Sequence, residues 1–194
     1  MEKIKNIVIL GATGSIGKQT LDVVRQHNDE FKVIGLVANS SKEQVESFAK
    51  EFDVSNILLM APEKSPDEAN KKLVDMITSP DVDIVVNAIG GAAGLLASYT
   101  SLTANKRLAL ANKESLVVGG DLIMPLAYNL KKATGEEKLL PIDSEHGAIY
   151  QCLIGEENSE IYKLHITASG GPFFGKKTDQ LQNVTKDQAL AHPT

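Results

Sequence analysis

Six short clusters in this sequence carry residue types that could do chemistry. The first is Gly11-Ala12-Thr13-Gly14-Ser15-Ile16-Gly17, which follows an apolar run and opens a helical one. Glycines in that setting let backbone approach a pyrophosphate, and the free N–H groups of the helix start face its charge. Gly14 lacks a Cβ, and Thr13 and Ser15 add hydroxyl donors. The spacing is G-x-x-G-x-x-G rather than G-x-G-x-x-G, and a tight strand–helix turn with no ligand would use the same glycines. The second cluster is Asn39-Ser40-Ser41-Lys42. An NAD site usually places an acid there for the ribose 2′-hydroxyl. Donors and a cation suit a 2′-phosphate instead, so NADP is favoured. Ser41 could equally cap its helix, and Glu43 could face the site.

The third cluster, Ile89-Gly90-Gly91, would let a nicotinamide lie close to backbone, or simply meet the torsional needs of a loop. Asn112-Lys113-Glu114-Ser115, the fourth, follows an apolar strand. Its lysine can contact hydroxyl or phosphate oxygens, and its amide and carboxylate can fix a ribose or carboxamide; a solvated helix start would look alike. In the fifth, Asp143-Ser144-Glu145-His146, two carboxylates can turn toward one point as hard oxygen ligands for Mg²⁺ or Mn²⁺. An N-cap followed by an acidic first turn is the plainer alternative, with His146 a structural residue of that helix. The sixth, Ser169-Gly170-Gly171-Pro172-Phe173-Phe174, could hold a phosphate under an aromatic cover on a glycine hinge, or form a β-turn.

These clusters need elements to position them. Residues 4–10, 31–38, 54–60, 82–89, 107–111 and 139–142 read as strands. Between them, 15–27, 41–52, 65–77, 95–104 and 122–133 read as helices. Ser41-Lys42-Glu43-Gln44 has capping-box form, and Ser65-Pro66-Asp67-Glu68 joins an N-cap to a proline at the first helical position. Strict β–α alternation with short connections predicts an α/β fold, a doubly wound, mainly parallel Rossmann-type sheet. Residues 161–167 alternate like a half-exposed strand of a different sheet, so the start of a second, α+β unit is expected. The boundary is expected at 142/143, giving 1–142 and 143–194.

Composition narrows the field. The 194 residues are 42% hydrophobic and 23% charged, with a net charge of −5. That balance argues against a generic nucleic-acid or anionic-membrane surface. A single cysteine, Cys152, excludes an intramolecular disulfide and a cysteine-based zinc cluster. No apolar run approaches the ~18 residues of a spanning helix, and the N-terminus shows no signal core, so a cytoplasmic protein is expected.

Read together, these clusters resemble the 1-deoxy-D-xylulose 5-phosphate reductoisomerase family. The resemblance rests on Gly11 to Gly17, Leu110-Ala111-Asn112-Lys113-Glu114-Ser115-Leu116, Ile142-Asp143-Ser144-Glu145-His146, Thr167-Ala168-Ser169-Gly170-Gly171-Pro172-Phe173 and Ala191-His192-Pro193, in the family's order. It implies an NADPH- and divalent-metal-dependent enzyme, with Mg²⁺ or Mn²⁺. Such an enzyme rearranges 1-deoxy-D-xylulose 5-phosphate, a phosphorylated ketose, and reduces the product to 2-C-methyl-D-erythritol 4-phosphate for isoprenoid precursors. By resemblance Thr13, Gly14, Ser15, Ile16, Asn112 and Glu114 bind NADPH, with Asn39, Ser40 and Ser41 beside its 2′-phosphate. Asp143 and Glu145 are metal ligands. Lys113, Ser144, Glu145, Ser169 and His192 contact substrate, and Lys113 and Glu145 act in catalysis. The family forms homodimers and continues past this His-Pro with a third acidic ligand and further phosphate contacts. The resemblance therefore implies an NADPH-binding fragment that does not turn over substrate. A semialdehyde-type dehydrogenase would need a cysteine nucleophile, with Cys152 the sole candidate. A non-catalytic NADP-binding module would leave the carboxylate pair unexplained.

Overall fold

Strand β1 (Lys5–Leu10) is apolar at successive positions because both its faces are covered. Ile7 and Ile9 join one buried cluster, while Val8 and Leu10 join the other. In this computed structural model, which describes residues 3–61, 65–165 and 171–191, β1 lies inside a six-stranded parallel sheet. The other strands are β2 (Phe31–Ala38), β3 (Ile57–Leu59), β4 (Ile84–Asn87), β5 (Arg107–Leu110) and β6 (Leu139–Pro141), in the order β3-β2-β1-β4-β5-β6. The chain winds outward from β1 to β3, crosses back, and winds outward again from β4 to β6. The crevice between the two halves lies where the order reverses.

Register aligns the strand ends. Val37 pairs with Leu10, Leu10 with Asn87, Asn87 with Leu110, and Leu110 with Pro141. The clusters that follow β1, β2, β4, β5 and β6 therefore all emerge along one carboxyl edge.

Helices cover both faces. α1 (Ser15–Gln26) and α2 (Lys42–Glu51) bury Leu21, Val24, Val45 and Ala49 on one side. α3 (Pro66–Thr78), α4 (Gly94–Thr103) and α5 (Glu114–Thr134) bury Leu73, Ile77, Ala97, Leu102, Ile123 and Ala127 on the other. α3 begins as its sequence predicts, with Pro66 at the first position and Ser65 Oγ accepting from Glu68 N at 3.1 Å. Ser65→Ala should remove about 1 kcal/mol. Thermal unfolding should then show a midpoint roughly 2–4 °C lower.

Two helices depart from the sequence reading. α5 starts at Glu114, not near 122, because Gly119 absorbs a kink (φ −129°, ψ 23°) instead of ending the helix. A Cβ at Gly119 would meet Leu95 Cδ1 at 2.5 Å, so the glycine that suggests a loop is what lets α4 and α5 close on each other. Ser41 does precede α2, but its side chain caps nothing. Its ψ of 71° differs from the extended 152° of Ser65, whose hydroxyl does cap.

Contact density divides the chain into units 1–152 and 153–194. α6 (Ser144–Cys152) belongs to the first, packed on β6 with Gly147 against the Pro141 carbonyl. In the second, short 3₁₀ turns at Asn158–Glu160, Gly171–Phe173 and Thr178–Leu181 precede α7 (Lys186–Leu190), which Thr185 and Gln188 close with a reciprocal capping box. The strand expected at 161–167 does not form over 161–165, and 166–167 lie outside the described residues. A strand persists only where its ladder is paired, and no described segment pairs with this one.

Candidate functional site

The turn after β1 is held from beneath. Gly11 N and Ala12 N both donate to Val37 O at 2.9 Å, and Gly14 N donates to Gly11 O at 3.0 Å. Gly11 has a φ of +80°, and a Cβ there would lie 2.5 Å from Ala88 O. At Gly17 a Cβ would lie 2.4 Å from Gly11 O, so this glycine seats α1 on its own strand. Gly14 starts the helix with extended backbone and no side chain caps the first turn. The orphan N–H groups of α1 are thus open to an anion.

In front of this turn lies a cleft of about 1020 Å³, bounded by Thr13, Gly14, Asn39, Met60, Gly90 and Tyr99 among others. Of the residues expected to bind cofactor, Thr13, Gly14 and Asn39 bound the cleft directly, Ser15, Ile16, Ser40 and Ser41 are their chain neighbours, and Asn112 and Glu114 are not part of its wall. The nearest acid after β2 is Glu43, exposed in the first turn of α2. No carboxylate closes the end of β2, and the Ser41 hydroxyl, freed from capping, remains available there.

Lys113, Asp143 and Glu145 form a second centre, at the carboxyl ends of β5 and β6. Lys113 Nζ stands 2.9 Å from Asp143 Oδ2 and 3.5 Å from Glu145 Oε2. The Asp143 side chain is only 11% exposed, and Ser144 Oγ donates to Glu145 Oε2 at 2.9 Å. The ammonium holds the Asp143 carboxyl below its ordinary range, and both carboxylates raise Lys113, with Asp143 the larger influence. His146 N approaches Asp143 Oδ1 at 3.4 Å, and its ring lies 3.8 Å from that oxygen. Two hard carboxylates around one positive charge are a donor set that fits a divalent cation. Among the described residues no third acid, histidine or cysteine completes a cage.

Asn112 has a more specific position than its motif suggests. It is 2% exposed, and its amide donates to Ile89 O (2.6 Å) and Gly91 O (2.8 Å), with Glu114 Oε2 at 3.2 Å. Its side chain thus joins the fourth cluster to the third. Ser169 and His192 lie outside the described residues. Asn87, a polar residue inside an apolar run, and Met60 and Tyr99 on the cleft wall lie outside the six clusters. The interruption at Asn87 was the available signal.

A doubly wound parallel sheet, with a glycine turn and an uncapped helix start at its switch point, defines a Rossmann-type α/β fold. The sequence pattern of 1-deoxy-D-xylulose 5-phosphate reductoisomerase matches residues 7–120, and that of the family's C-terminal domain matches 139–194. The chain belongs to the 1-deoxy-D-xylulose 5-phosphate reductoisomerase family. The Clostridium tetani 1-deoxy-D-xylulose 5-phosphate reductoisomerase is 44% identical over 98% of this chain and 52% of its own length. The Zymomonas mobilis enzyme in complex with NADPH superposes with a TM-score of 0.78 at 33% identity, over 98% of this chain and 52% of that one. A reductoisomerase in complex with NADPH, fosmidomycin and magnesium superposes at 0.70 with 37% identity, over 98% and 51%. The chain spans about half the length of the curated relatives it matches. Among the described residues, no helix is long and apolar enough to cross a membrane.

Proposed function

We propose that the chain supplies the NADPH site and the first substrate and metal contacts of a cytoplasmic reductoisomerase. That enzyme converts 1-deoxy-D-xylulose 5-phosphate to 2-C-methyl-D-erythritol 4-phosphate with Mg²⁺ or Mn²⁺. The observation that carries this reading is the Lys113–Asp143–Glu145 cluster on the same sheet edge as the glycine cleft. A dinucleotide-binding domain alone requires the cleft and not the cluster.

Each residue has a chemical task. The α1 start and the Thr13 hydroxyl take the pyrophosphate. Asn39, Ser40 and Ser41 donate to the 2′-phosphate. Asp143 and Glu145 offer oxygen ligands, and Lys113, exposed enough to swing, neutralises oxygen charge on the ketose. Ser144, beside Glu145, offers a hydroxyl to the same substrate. A divalent ion, when bound, supplies Lewis-acid stabilisation of developing oxygen charge. The boundary between cofactor and catalytic domains belongs at 142/143, just before these ligands.

Titration with NADPH and NADH tests the cofactor half. NADPH should bind the 194-residue chain at least about tenfold more tightly, through charge-assisted bonds to the 2′-phosphate. Equal affinities would contradict the assignment of Asn39, Ser40 and Ser41.

A further inference from the structure

β4 ends on Asn87, which is 0% exposed. A buried amide is stable there only if its polar atoms find partners, and both of them do. Asn87 Nδ2 donates to Gly94 O and to Ser98 Oγ, both at 2.9 Å, and Oδ1 accepts from Ile89 N at 3.2 Å. Ser98 Oγ then donates to Ser115 Oγ at 3.2 Å, and the Ser115 hydroxyl donates to Asn112 Oδ1. Asn112 returns to the same loop through its bonds to Ile89 O and Gly91 O. Ser98 and Ser115 are also 0% exposed.

The proton directions form one consistent circuit. Reversing the Asn87 amide would set its nitrogen against Ile89 N–H and its oxygen against the Gly94 carbonyl, so only one orientation is possible. The circuit is aimed at backbone: its ends bind Ile89 N, Ile89 O, Gly91 O and Gly94 O. Within the loop itself, only Gly94 N to Gly91 O (3.3 Å) and Leu95 N to Ala92 O (3.1 Å) close turns at the start of α4. Gly90 and Gly91 have nothing within 4 Å of a would-be Cβ, so that surface of the loop is open. The fit beneath is close, since a Cβ at Gly94 would meet Asn112 Oδ1 at 2.6 Å.

We infer that Asn87 is a positioning residue: acting with Ser98, Ser115 and Asn112, it fixes the 89–94 loop in the shape that receives the nicotinamide half of the dinucleotide. This rests on the NADPH reading above. The adenine half depends on a different place, the end of β2 across β1, to which no member of the circuit bonds. The circuit therefore governs one half of the ligand and leaves the other alone.

Two ligands separate a positioning role from a merely structural one. NADPH spans both halves, and 2′-phospho-ADP-ribose lacks the nicotinamide. Both would be titrated into the 194-residue chain and into its Asn87→Ala and Ser98→Ala variants. In each variant NADPH affinity should fall by about tenfold, while 2′-phospho-ADP-ribose stays within about twofold. Should Asn87→Ala fail to fold, Ser98→Ala, which loses a single hydroxyl, reads the same split. Parallel weakening of both ligands, or no change in either, overturns the positioning role. A wild-type chain that binds neither ligand overturns the dinucleotide reading itself, and this role with it.

Discussion

Gly17→Ala is expected to lower the thermal midpoint of the 194-residue chain by roughly 6–12 °C, whereas Gly14→Ala leaves it nearly unchanged and weakens NADPH binding on the order of 10- to 100-fold. The two glycines stand three residues apart in one motif, yet their surroundings differ. A Cβ at Gly17 would lie 2.4 Å from Gly11 O and 2.6 Å from Ala12 Cα. Both obstacles are backbone, so α1 must move off its strand, and overpacking of that kind costs about 3 kcal/mol. Gly14 has an ordinary extended conformation (φ −77°, ψ 175°), and its nearest obstacle is Gly11 O at 3.3 Å. Alanine fits the fold there once Gly11 O gives by a few tenths of an ångström, but its methyl takes the space through which a phosphate approaches the N–H groups, each such contact being worth about 1.5–3 kcal/mol. Gly120→Ala is the control. It lies in α5 with nothing within 4 Å of a would-be Cβ, so it should stabilise by about 0.5–1 kcal/mol. Circular dichroism melts and NADPH fluorescence titrations check all three. Equal stability losses at Gly17 and Gly14 would mean that the motif is only a turn.

The same contrast shows what sequence can and cannot convey. β–α alternation is legible because both faces of each inner strand must be apolar, and Ile7 to Leu10 divide between two cores as that requires. The edge carrying the clusters follows from a parallel sheet, in which every strand ends on the same side. What stays hidden is pairwise. Gly119 looks like a helix breaker until Leu95 is seen filling the place of its missing side chain. Asn87 looks like noise in an apolar run until Ser98 is seen to take its amide and link it through Ser115 to Asn112. Ser41 and Ser65 have the same local pattern, and only backbone torsion decides which one caps its helix. Residues 161–165 carry strand-like alternation, but a strand needs a partner, and alternation does not name one. The carboxylate pair shows both sides at once: its residue types were legible, while the Lys113 that bridges them comes from a different strand end, brought there by the β5–β6 register.

That bridge allows a decisive experiment. Asp143→Asn is expected to weaken Mn²⁺ binding to the 194-residue chain by at least about tenfold, and Lys113→Met to strengthen it by a similar factor. Lys113 Nζ is 2.9 Å from Asp143 and 3.5 Å from Glu145, where a cation shared by the two carboxylates would also bind. The ammonium is thus a competitor for the ion and repels it at short range, an effect that solvent around the half-exposed lysine reduces but does not cancel. Asparagine keeps the size of Asp143 and an acceptor for His146 N, yet removes the charge that a hard divalent ion requires. The competing possibility is that the cluster only clasps the β5–α5 turn to the start of α6. A clasp gives the opposite pattern: Lys113→Met would leave Asp143, 11% exposed, without its counter-charge, lower the thermal midpoint, and bring no gain in Mn²⁺ affinity. Isothermal titration with Mn²⁺, run beside thermal melts of the same two variants, separates the readings. Improved ion binding in Lys113→Met marks a metal site for which its own lysine competes; a stability loss with unchanged ion binding marks a structural salt bridge.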